Sequence, residues 1–90
     1  MSLHDIRSQI DEIDADLVRR LAAREALVRQ AATYKADEQA VRSPDRVEQV
    51  ITKVRTLAAD LGASPEVVER VYRAMINAFI DLELTEHRKD

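Results

Sequence analysis

Cysteine is absent from this 90-residue chain, which excludes disulfides, thiolate catalysis and thiolate metal sites together. One glycine, two prolines and three aromatics leave the chain little punctuated, whereas a strand-rich fold needs many more turn residues. A basic excess is missing too. The net charge of −3 argues against a nucleic-acid or anionic-membrane surface. No apolar run approaches the length that spans a bilayer, and Met1 to His4 leads straight into a charged helical pattern rather than a signal peptide, so a cytoplasmic protein is expected. His4 and His87 stand alone near opposite ends without metal-ligand spacing; both are expected on the surface, with no metal and no cofactor.

What is present is a helical chain. Apolar residues at 46% suffice for a core, so disorder is not expected, but one domain of 90 residues has a marginal core that favours oligomerisation. From His4 to about Asp37 the sequence reads as one amphipathic helix: Ile10, Ile13, Leu17, Leu21, Val28 and Ala31 recur at steps of three and four, without Gly or Pro. Ser2 is its expected N-cap, and Asp5 complements the helix dipole. Such a rod is about 50 Å long, against a radius of gyration of about 12 Å for a compact globule of this size. A second copy is therefore expected to cover its stripe.

Two cations interrupt that stripe. Arg24 follows Leu21 by three, and Lys35 follows Ala31 by four. On a continuous helix their eleven-residue separation leaves them within about 20° of one another. Inward cations in an acidic protein suggest a small anionic ligand. Arg7 lies about 25 Å further up the same rod, turned by about 100° from Arg24. Within one protomer it cannot meet the other two; it is either a solvated arginine or a group delivered by antiparallel packing of two copies. Arg19, Arg20 and Arg29 fit the outer face and receive no function.

Residues 36–42 read as a connecting loop. Ser43-Pro44-Asp45 then announces a second helix with a hydroxyl cap, Pro at the first position and a carboxylate in the first turn. Val47, Val50, Ile51, Val54, Leu57 and Leu61 give its stripe, and Gly62 its stop. Arg46 sits in that first turn, unfavourably for the dipole, as either a surface arginine or a ligand contact. Ser64-Pro65-Glu66 opens a third helix running to about His87, with Val68, Val71, Tyr72, Met75, Phe79 and Leu82 on its apolar face. Glu83, four after Phe79, is either an edge residue or a carboxyl group set against Lys35.

The ordered spacing of Arg7, Arg24, Lys35, Arg46 and Glu83 over a long, a medium and a final helix resembles the all-helical chorismate mutase family, which includes isochorismate-pyruvate lyases of salicylate and siderophore pathways. The stretch from Tyr34 to Val41, followed by Ser43-Pro44-Asp45-Arg46-Val47, is similar to the lyase-like branch in particular. The resemblance covers Leu3 to Arg88. It implies an all-α fold, an intertwined homodimer of three-helix protomers over a single domain of residues 1–90, and two equivalent sites each completed by Arg7 from the neighbour. It further implies a dianionic substrate, chorismate or isochorismate, with Arg24 and the neighbour's Arg7 on the carboxylates, Lys35 at the ether oxygen and Arg46 at the ring end. Chorismate mutase activity, as in aromatic amino acid biosynthesis, is the first expectation and isochorismate-pyruvate lyase activity the alternative. An amino-substituted chorismate is a third possible substrate. The reactions are pericyclic and need neither nucleophile nor cofactor.

Two positions depart from the family pattern. Where the bacterial enzymes usually carry Gln, this chain has Glu83, and a carboxylate donates no hydrogen bond to an ether oxygen unless protonated. Burial favours the acid form there and a neighbouring Lys35 opposes it. Val47 stands where mutases commonly place a Glu against the C4 hydroxyl, a loss that costs the lyase expectation less. The reading from another class is a helical dimerisation module without chemistry, but it gives no reason for charges on a buried seam.

Overall fold

The computed structural model describes residues 1–88, folded into helices joined by short connectors in the order α1 (Leu3–Ala32), α2 (Glu38–Arg42), α3 (Pro44–Asp60) and α4 (Pro65–Arg88). Among the described residues there is no strand. The expected long, medium and final helices are all present, and α2 is an addition to them.

A capping box starts α1: the Asp5 N–H donates to Ser2 Oγ at 3.2 Å while the Ser2 N–H donates to the Asp5 carboxylate at 2.9 Å. Such a cap stabilises a helix by about 1 kcal/mol. At its other end α1 stops at Ala32, short of the expected Asp37. The N–H groups of Thr33, Tyr34 and Lys35 donate to carbonyls three residues back, a tightening that terminates the α-helical ladder. Asp37 begins a new element instead of extending the old one, because its Oδ1 accepts from the Ala40 N–H at 2.9 Å and caps α2. A short acidic side chain satisfies orphan N–H groups better at a cap than inside a helix.

Between α2 and α3 the chain turns on one residue. Ser43 adopts φ 34°, ψ 67°, in the left-handed region, and makes no side-chain cap hydrogen bond, so the hydroxyl cap expected from Ser43-Pro44-Asp45 does not form. Pro44 occupies the start of α3 as expected. At the far end, Gly62 has φ 78°, and the Ala63 N–H donates to the Ala58 carbonyl at 2.8 Å and the Gly62 N–H to Ala59 at 3.3 Å. This is a Schellman closure, for which the left-handed residue favours glycine. Ser64 does cap α4, accepting from the Val67 N–H at 3.3 Å.

α4 is the centre of the fold: α3, α1 and α2 all pack on it. Ala32, Val41, Ile51, Val54, Ala58, Ile76 and Leu84 form the buried core. Leu57 and Leu61, expected on the buried stripe of α3, are exposed, and Ala58 is buried in that last turn. Arg73 joins α3 to α4, donating to both Glu48 oxygens at 2.9 and 3.0 Å and to Glu69 at 2.8 Å; Arg55 donates to the other Glu69 oxygen at 2.8 Å.

Most of α1 projects beyond this packing. The chain measures 53 × 25 × 15 Å, with a radius of gyration of 15.8 Å. Ala32 alone is buried in α1, while Ile10, Ile13, Leu17 and Leu21 of the apolar stripe, and Ile6 before them, remain exposed, Ile13 by 58%.

Candidate active site

A cavity of about 450 Å³ opens where the end of α1, α2, the start of α3 and the C-terminal half of α4 converge. Its walls combine an apolar floor, including Val28, Ile76, Phe79 and Ile80, with Arg24, Lys35, Arg42, Arg46 and Glu83. Four cations thus face one carboxylate. Such a lining suits an anion with an apolar body.

Arg24 projects from α1 and lies with Cζ 5.1 Å from the centroid of the Phe79 ring on α4. Stacking on an aromatic face leaves the guanidinium fork available to a carboxylate. Lys35 reaches the cavity by a route that helical spacing does not describe. It lies in the connector after α1, and its Nζ donates to Glu83 Oε2 at 2.7 Å. Glu83 is the buried charged residue of the described chain, with 6% exposure, so it is a carboxyl group set against Lys35 and not an edge residue. No buried side-chain polar atom lacks a partner among the described residues.

Arg46 lines the cavity from the first turn of α3 while keeping solvent exposure. Arg7 does not reach it; it lies on the exposed N-terminal part of α1. The structure therefore brings together Arg24, Lys35, Arg46 and Glu83 and leaves Arg7 apart. Arg42 and Ser43 line the site without having been expected there. No helical spacing signalled them, because Arg42 closes α2 and the left-handed Ser43 separates it from Arg46 on α3. His87, expected as a plain surface residue, is half-buried, with Nε2 3.0 Å from the Lys35 carbonyl oxygen. Among the described residues no cluster of His, Cys, Asp or Glu could hold a metal ion, and no helix is long and apolar enough to cross a membrane.

A helical chain with a cationic cavity beside a long projecting helix defines a class, and comparison with known proteins identifies it. Residues 6–84 match the family described as chorismate mutase type II, and the chain belongs to that family, one of all-α enzymes. Over 78 residues it is 35% identical to a protein of Pseudomonas aeruginosa named isochorismate pyruvate lyase, an alignment covering 87% of this chain and 77% of that relative.

Proposed function

We propose that the protein is a chorismate mutase, converting chorismate to prephenate in the cavity between α1, α2, α3 and α4. The observation that carries this reading is the half-buried Arg24 on the Phe79 ring, facing Lys35 and Arg46 across an apolar floor in a member of the family. Arg24 and Arg7 of the partner subunit hold the two substrate carboxylates by forked, charge-assisted hydrogen bonds, which fix orientation as well as affinity. Lys35 addresses the ether oxygen, and Arg46 closes the ring end. The chemistry is an isomerisation in which the ether C–O bond breaks as a C–C bond forms, with no proton or electron exchanged with the protein. Confinement of the reactive conformer and stabilisation of the charge that develops on the ether oxygen supply the catalysis.

A second reading is isochorismate-pyruvate lyase, giving salicylate and pyruvate. The Pseudomonas relative and Val47 in the cavity wall, in place of a carboxylate for a C4 hydroxyl, favour it.

Purified protein incubated with chorismate and with isochorismate separates the readings. Prephenate as the main product supports the mutase, and salicylate with pyruvate the lyase. Arg24→Ala is expected to lower kcat/KM for the true substrate by about a hundredfold or more, the usual loss for a charge-stabilising donor. It should also abolish the thermal stabilisation given by a chorismate-like dicarboxylate. No turnover of either substrate and no thermal shift in the unmodified protein would leave the dimerisation module as the reading.

A further inference from the structure

Lys35 is the cavity cation with the weakest local support. It belongs to no helix, and its own backbone N–H is tied to the Ala32 carbonyl by a 3.3 Å bond at the end of a fading ladder. Two residues of α4 hold it instead. Glu83 Oε2 accepts from Lys35 Nζ at 2.7 Å, and His87 Nε2 stands 3.0 Å from the Lys35 carbonyl oxygen. A carbonyl only accepts, so Nε2 carries the hydrogen and donates.

Glu83 and His87 are four residues apart and therefore share one face of α4. One helical turn thus grips both ends of Lys35, the ammonium and the main chain. The residues flanking His87 extend the grip in both directions. Glu86 pairs with Arg29 in the last turn of α1, and Arg88 Nε donates to Glu38 Oε1 at 3.0 Å at the start of α2. Three consecutive residues of α4 therefore fasten the end of α1, the connector and the beginning of α2.

We infer that His87 is a positioning residue for Lys35: its imidazole fixes the Lys35 carbonyl, and hence the point from which the ammonium is aimed into the cavity. The inference rests on Lys35 acting on the substrate as proposed above. A displacement of about 1 Å in a reacting group can cost about a hundredfold in rate, so a single main-chain anchor has leverage on turnover out of proportion to its effect on stability.

The test compares His87→Ala with His87→Gln, whose amide offers a donor at nearly the position of Nε2. His87→Ala should lower kcat about tenfold or more on whichever substrate the unmodified protein turns over, with a smaller change in KM, and His87→Gln should recover kcat to within about threefold of the parent. Amide hydrogen exchange across residues 33–38 should be faster in His87→Ala than in the parent and restored in His87→Gln. Exchange is read without substrate, so it judges the anchor even where neither substrate is turned over, an outcome that would overturn the proposed activity alone. A kcat within twofold of the parent in His87→Ala, exchange unchanged in that variant, or a loss of both rate and melting temperature that His87→Gln does not repair would overturn the positioning role.

Discussion

Glu83 carries the sharpest chemistry in the chain. Ionised, it accepts the Lys35 ammonium and offers nothing to an ether oxygen; protonated, it becomes a donor beside the substrate. A glutamine amide offers an N–H there in every case, so Glu83→Gln is expected to raise kcat/KM on the true substrate by about tenfold or more. Steady-state rates of parent and variant check this, and an unchanged kcat/KM in Glu83→Gln removes Glu83 from the mechanism. The inward direction of Arg24 was legible in the sequence because it lies inside a regular helix, where spacing reports direction; Glu83, at the margin of its stripe, was left open between an edge and an inward position, and burial decides it. Lys35 was found by the same spacing although α1 ends before it; the ion pair to α4 brings it inward, and no single-helix pattern encodes such a contact. Arg42 and the Lys35–His87 bond stayed hidden for that reason, since both depend on where a short connector is placed by its neighbours.

Among the elements, α3 and α4 were readable almost to their ends, since Pro44, Gly62, Ser64 and Pro65 mark boundaries by backbone chemistry alone. The errors fell where side chains compete for the backbone, at Asp37 and Ser43. The Arg73 clamp between α3 and α4 makes a prediction at this scale. Hydrogen bonds from Arg73 hold the Glu48 carboxyl below its ordinary value of 4.5 and, with Arg55, lower that of Glu69 as well. A lowered folded-state value stabilises the fold above the unfolded value and is lost as pH falls through the folded one. Melting temperature should therefore decline as pH drops below about 4.5, and Arg73→Gln should remove part of that decline. The clamp is solvent-exposed, so the difference should amount to a few degrees at most. A variant whose acid limb overlays the parent's would dismiss the clamp as a contributor.

The whole molecule has the composition of a core without the burial of one. The stripe from Ile6 to Leu21 faces outward in the protomer, and a contiguous exposed apolar face marks an interaction site. A second copy laid against it is expected, as the length of the helix already implied. Sedimentation should give a dimer, and Ile13→Asp should weaken it by more than a hundredfold, because an unpaired buried charge costs about 3 kcal/mol or more. The shared-site reading adds a complementation test: Arg7→Ala and Arg24→Ala, each inactive alone, should on mixing regain about a quarter of parental activity. Half of the randomly paired dimers are mixed, and each mixed dimer contains one intact site of two. Arg7→Ala with parental activity would place Arg7 outside the site, and mixtures that stay inactive after exchange would exclude its delivery by the second copy. Helix α2 has a different consequence at this scale. Five residues are far too few for a helix to persist alone, so α2 is held by Val41 in the core and by its contacts with α4. The wall that carries Arg42 is therefore expected to exchange its amide hydrogens faster than the floor that carries Phe79, and the cavity to be gated at that wall.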